Sequence, residues 1–204
     1  MRIDHFRGIE SYWAIPAEEK TAVKGEWRKG PDMDLINAIK AALPQADFIA
    51  EDLGFLTPEV MQMQKDSGFP GMKVLQFAFD SRETSNYMPE TYIANSVCYT
   101  GTHDNETLVQ WQENISKENL ACAIKYFELD DESKLPAAMI RCGMASVSNL
   151  FVAQMQDYLG LGAEARMNKP GTLSGDNWTW RVLHTQITGE LAEKIYKLTK
   201  QLGR

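Results

Sequence analysis

At 204 residues, with 44% apolar and 24% charged side chains, the chain has the composition of an ordinary soluble globular protein and the length for a sizeable core, as one domain or two small ones. Its net charge of -7 argues against nucleic acid or an anionic membrane as a partner, since both attract basic surfaces. Three cysteines without metal-site spacing argue against a disulfide framework, and the sequence holds neither an apolar run of membrane-span length nor a signal-peptide core, so a cytosolic chain is expected.

The chain opens on Arg2-Ile3-Asp4-His5-Phe6-Arg7-Gly8, read as a short strand closed by a turn at Gly8. Alternate side chains of an extended segment share a face, so Arg2 and Asp4 point together. An aromatic stretch, Tyr12 to Pro16, leads into a charged loop that runs to Pro31. Leu35, Ile36, Ile39 and Leu43 then mark one face of a helix. Asp47 to Glu51 reads as a strand, and Thr57-Pro58 as the cap and first turn of a helix ending near Gly68. Lys73 to Phe79 is the clearest strand of the chain, followed by a polar loop carrying Pro89.

Ser96 to Gly101 forms the next strand and ends in Thr102-His103-Asp104-Asn105. Helices are expected over 108–115, 120–127 and 136–147, then a strand at Leu150 to Ala153. The segment 168–180, with Gly171, Gly175, Trp178 and Trp180, has no period and reads as a long functional loop. The C-terminus is an amphipathic helix with Leu191, Ile195, Leu198 and Leu202 on one face. Strands alternate with helices and the best strands are apolar on both faces, which is the pattern of a covered parallel sheet.

Three acids fall at the carboxyl ends of strands: Asp4, Glu51 and Asp104. That rim is where ligands bind in alternating β/α architectures. Any one of them alone reads as a cap or a solvent-facing acid; as a set they point to chemistry. Glycoside cleavage needs one ionised carboxylate to attack or stabilise the sugar's C1 and one protonated acid to donate to the leaving oxygen. Arg2 favours the charged form of Asp4, whereas the apolar Phe48-Ile49-Ala50 run and a neighbouring Asp104 would favour the protonated form of Glu51. Asp4 is therefore the expected nucleophile, Glu51 the acid/base and Asp104 a third, substrate-gripping carboxylate. A metal site built from Asp4, His5, His103 and Asp104 ranks below this reading, because adjacent strand residues face opposite ways and no His-x-His or His-x-x-x-His pair occurs.

The segments Arg2–Gly8, Ala50–Gly54, Gly71–Phe79, Thr100–Asn105, Ala165–Asn168 and Gly175–Trp178 together resemble the 4-alpha-glucanotransferases, the amylomaltases or disproportionating enzymes of glycoside hydrolase family 77. The resemblance runs essentially the length of the chain. It implies the C-terminal part, about strands 4 to 8, of a (β/α)8 TIM barrel, so that 1–204 would be one portion of a single catalytic domain whose N-terminal strands are absent. By motif, Asp4 resembles the nucleophile, Glu51 the acid/base and Asp104 the transition-state stabiliser. Arg2, His5 and His103 resemble sugar-binding neighbours, Phe77 an aromatic lining the groove and Asn168 a ligand of sugar hydroxyls.

The implied reaction is retaining transfer of α-1,4-glucan segments from a maltooligosaccharide or α-glucan donor to the 4-hydroxyl of a sugar acceptor, with no cofactor and no metal. The implied location is the cytoplasm, or the plastid for a plant parent. His184 matches no motif and reads as structural or solvated, and Asp52 as a cap beside Glu51. Phe6, Trp13, Trp178 and Trp180 could stack on sugars or fill the core. Only five strand-like segments are found where a barrel needs eight in about 250 residues. A missing N-terminal half is therefore expected as a partner; a hydrolase on the same carboxylates and an inert fragment are the alternatives.

Overall fold

The computed structural model describes residues 1–79 and 87–204, and the chain divides into two compact units, Met1–Met72 with Asn95–Val97 and Lys73–Ala94 with Cys98–Arg204. Both mix helices and strands. Among the described residues, no helix is long and apolar enough to cross a membrane.

In the first unit the elements run β1 (Arg2–Ile3), α1 (Arg7–Glu10), β2 (Ser11–Ala14), β3 (Glu26–Lys29), α2 (Asp32–Ala42), β4 (Ile49–Ala50) and α3 (Pro58–Ser67). β1 and β4 pair in parallel, with Arg2 opposite Ile49 and Ile3 opposite Ala50. α3 starts and stops where the sequence says. The Thr57 hydroxyl accepts from Val60 N, Pro58 takes the first turn, and Gly68 closes the helix at φ +67°. Phe6, Ile36, Phe48, Ala50, Met63 and Phe69 form the buried core of this unit.

One expectation is corrected here. The aromatic stretch and the loop after it pair as an antiparallel hairpin, β2 with β3, in which Trp13 faces Trp27. Their rings meet edge to face at 5.6 Å. A hairpin of this kind carries no short turn signal, because residues 15–25 separate its strands; the cross-strand aromatic pair that joins them is a tertiary contact.

β5 (Gly71–Val74), β6 (Ser96–Tyr99) and β7 (Leu150–Val152) make a three-stranded sheet in the order β5-β6-β7, of which residues 73–74 and 98–99 and all of β7 belong to the second unit. Its helices are α4 (Leu108–Asn114), α5 (Lys117–Tyr126), α6 (Leu135–Ala145), α7 (Met155–Leu159) and α8 (Gly189–Gln201). Leu75, Phe79, Cys98, Leu108, Leu135 and Met139 are among the residues at its core. The polar loop expected after Phe79 lies over 80–86 outside the described residues, and Pro89–Thr91 forms a 3-10 turn.

β5 also corrects the sequence reading. The strand expected over Lys73–Phe79 ends at Val74, and Leu75–Phe77 wind into a 3-10 turn. Ala78 N donates to Leu75 O at 3.0 Å, while the Gln76 amide donates to Glu106 O at 2.8 Å. An apolar run reports burial, and a buried turn satisfies it as well as a strand does.

Candidate active site

In the first unit, Asp4 follows the last residue of β1 and Glu51 the last residue of β4. Arg2 Nη2 donates to Asp4 Oδ1 at 2.8 Å; Arg2 is 27% exposed and Asp4 75%. The alternation of an extended segment thus brings the two side chains together, with the guanidinium sheltered and the carboxylate projecting into solvent. The two strand ends are laced by their backbones. Glu51 N donates to Ile3 O and Phe6 N donates to Glu51 O, each at 3.0 Å.

Glu51 does not stand in the apolar setting that its neighbours Phe48 to Ala50 suggested. His5 N donates to its Oε2 at 2.7 Å and Leu53 N to its Oε1 at 3.1 Å, so both oxygens are oriented by main-chain donors. Leu53 N is a local donor from the turn after Ala50, whereas His5 N comes from the turn after β1, 46 positions away in sequence. His5 takes φ +46°, a left-handed value that costs a residue with a Cβ some strain. Its imidazole passes over Gly8, where an added Cβ would come within 2.9 Å of His5 Cδ2. Gly8 therefore permits the approach; the turn expected at Gly8 falls instead at residues 4–6, and Gly8 lies within α1. Asp52 serves as a tether, accepting from Met72 N at 2.6 Å. Phe6 is fully buried and fills the core, whereas Trp13 packs on Trp27 at the surface and stays about one-third exposed.

In the second unit, Asp104 lies in the turn that follows β6. Asn105 shapes that turn by accepting from Thr102 N at 2.8 Å and from the Thr102 hydroxyl at 2.9 Å. Asn168 Nδ2 donates to Asp104 Oδ1 at 2.6 Å, and His103 Nε2 lies 3.4 Å from the same oxygen. The His103 ring tilts against Trp178 at a centroid distance of 5.0 Å. Asn168, from one predicted motif, is thus brought together with His103 and Asp104 of another, with Trp178 as their neighbour. Phe77 is half-exposed, its ring edge-on to Tyr87 at 5.4 Å. His184 lies exposed in a 3-10 turn.

Two residues beneath this group were not singled out by sequence reasoning. Asp157 is buried and accepts from the Thr100 hydroxyl at 2.6 Å and from Leu108 N at 2.8 Å. Burial pushes its carboxyl above the ordinary range, while its hydrogen bonds pull the other way. Arg166 donates to Asp104 O and to Asn168 O, each at 2.9 Å. Its place within Ala165-Arg-Met-Asn168 was the only available signal. A polar cavity of about 470 Å³ adjoins this group, lined among others by Glu106, Gln110, Arg166, Asn168 and Trp180. Among the described residues, no cluster of three or more His, Cys, Asp or Glu is placed to hold a metal ion.

The profile of glycoside hydrolase family 77, described as 4-alpha-glucanotransferase, matches residues 1–186. The 4-alpha-glucanotransferase of Clostridium butyricum is 49% identical over 205 residues, which cover 100% of this chain and 42% of that protein. The chloroplastic/amyloplastic 4-alpha-glucanotransferase of Solanum tuberosum is 43% identical over 206 residues, covering 100% of this chain and 36% of that one. A solved amylomaltase from Streptococcus agalactiae, in complex with acarbose, matches with a TM-score of 0.92 at 35% identity and covers 100% of this chain and 41% of its own. The chain spans about two fifths of the length of these relatives. The carboxylate-bearing segments and the mixed helix-and-strand fold that carries them lie within the matched region, and the chain belongs to the 4-alpha-glucanotransferase family, glycoside hydrolase family 77.

Proposed function

We propose that this chain supplies the catalytic carboxylates of a 4-alpha-glucanotransferase and forms the C-terminal portion, about strands 4 to 8, of a single (β/α)8 barrel domain. The observation that carries the reading is the register of β1 and β4. Ile3 lies opposite Ala50, so the next residues, Asp4 and Glu51, leave neighbouring strand ends side by side. Paired strands run about 4.8 Å apart. Carboxyl groups of retaining glycosidases stand about 5 to 5.5 Å apart, close enough for one to attack while the other protonates.

In this reading an Asp4 oxygen attacks C1 of the donor glucosyl unit as Glu51 gives its proton to the departing glycosidic oxygen. A glucosyl-enzyme ester forms on Asp4 and the shortened glucan leaves. Glu51, now a carboxylate, takes the proton from the 4-hydroxyl of an acceptor sugar, whose oxygen attacks C1 and frees Asp4. Two inversions retain the α configuration. Arg2 keeps Asp4 oriented, Asp104 stabilises the cationic transition state, and Asn168 holds Asp104 and meets sugar hydroxyls. Arg2, His5, His103 and Phe77 contribute to sugar binding. Donor and acceptor are a maltooligosaccharide or α-glucan and a sugar, and the N-terminal half of such an enzyme is the protein partner. A plant parent would place the reaction in the plastid, any other in the cytoplasm.

The test is incubation of the chain with maltotriose, alone and mixed with a separately made N-terminal portion, with the products resolved by chromatography. Glucose plus a ladder of longer maltooligosaccharides, lost on Glu51→Gln, is the expected result in the mixture. Glucose and maltose without longer products would make the chain a hydrolase. No turnover in either sample, with the chain folded, would overturn the reading.

A further inference from the structure

Arg166 has no part in the chemistry above, yet its guanidinium is committed in three directions. Nη2 donates to Asp104 O at 2.9 Å, Nε to Asn168 O at 2.9 Å, and Nη1 to Glu106 Oε1 at 3.3 Å. Arg166 and Glu106 are 19% and 23% exposed, so the pair is largely sheltered from solvent. Glu106 is itself held, because Asn114 Nδ2 donates to the same Oε1 at 2.7 Å. The two carbonyls gripped by one rigid plane belong to the two residues whose side chains meet, Asn168 Nδ2 on Asp104 Oδ1 at 2.6 Å.

We propose that Arg166 is a positioning residue, whose planar guanidinium fixes the Asp104 main chain against that of Asn168 and so aims the Asp104 carboxylate at the reacting sugar. This rests on the transferase reading for the word sugar, but the clamp itself is a property of the chain. A lysine in its place is a single compact ammonium on a flexible stem, and it cannot hold the directions of a planar fork. Without the clamp, the amide of Asn168 and the carboxylate of Asp104 keep their chemistry but lose their common frame. Displacement of a catalytic group by about 1 Å costs on the order of 100-fold in rate.

Two readouts test this on Arg166→Lys and Arg166→Ala. In the mixture with the N-terminal portion, both variants should lose about 100-fold in kcat for maltotriose disproportionation, with KM little changed, and guanidinium ion should restore part of the kcat of Arg166→Ala alone. In the chain by itself, hydrogen exchange should quicken over 102–107 and 166–178 while α6 keeps its protection. A merely structural arginine would instead lower the thermal transition, quicken exchange throughout the unit, and leave the kcat of the remaining folded molecules intact. That outcome, or an Arg166→Lys variant with normal kcat and unchanged exchange, overturns the proposal. If the unsubstituted mixture is inactive, the transferase reading falls and the exchange data alone decide the clamp.

Discussion

The Thr100 hydroxyl donates to Oδ2 of Asp157 at 2.6 Å, and Oδ1 of the same buried carboxylate accepts from Leu108 N at 2.8 Å. Thr100 lies just past β6, and Leu108 opens α4. One carboxylate therefore ties both ends of the segment that carries His103 and Asp104. Burial raises the Asp157 carboxyl from its ordinary 3.8, partly opposed by the hydrogen bonds from Thr100 and from main-chain groups. The folded protein then holds this proton more tightly than the unfolded chain does. Stability must fall as pH rises from 3.8 through the folded value, because the unfolded chain binds fewer protons over that window. Asparagine is close in shape and neutral at every pH. Urea unfolding of Asp157→Asn across a pH series should lack that decline, so the stability difference between the two chains shifts in favour of the variant as pH rises. Parallel pH profiles would refute the assignment.

Thr57 caps α3 through a 3.4 Å bond from Val60 N, at the long end of hydrogen-bond geometry. Thr57→Ala should destabilise the first unit by about 1 kcal/mol, and Thr57→Ser by much less, because the serine hydroxyl restores the acceptor. Denaturant midpoints with unchanged slope check this; equal losses in both variants would mean that the cap is not the cause.

Phe6, in the middle of the candidate catalytic segment, has no exposed surface and meets Phe69 edge to face at 6.4 Å. Phe6→Ala should cost about 3 to 5 kcal/mol through lost burial and the cavity left behind. The measurement is the shift in the urea midpoint. A side chain that served to stack on sugar would weaken maltooligosaccharide binding and leave the midpoint in place.

Cys98 is fully buried, and burial pushes its thiol up to about 12. At pH 8 it is protonated as well as shielded, so iodoacetamide should leave it unmodified in the native chain and label it after denaturation. Peptide mass analysis gives the answer. Native labelling of Cys98 at the rate of an exposed thiol would contradict the packing of the second unit.

What could be read from the sequence was what local chemistry determines. The ends of α3 follow from Thr57-Pro58 and Gly68, which act within a single turn. The amphipathic spacing of 191–202 is met by α8, and the Arg2–Asp4 pair follows from the alternation of an extended segment. The five strand-like segments are all present, though shorter than expected, because an apolar run marks burial and does not say where a buried strand becomes a turn at Val74. The setting of the acids was decided by packing. Glu51 is oriented by N–H groups of a turning backbone, and the bonds from Arg166 and Asn168 to Asp104 span 62 and 64 positions of sequence. Such contacts form only when the rest of the chain has folded and offset the entropy of bringing distant segments together. Propensity and periodicity act over a few residues; the frame around a catalytic carboxylate is set by the whole fold.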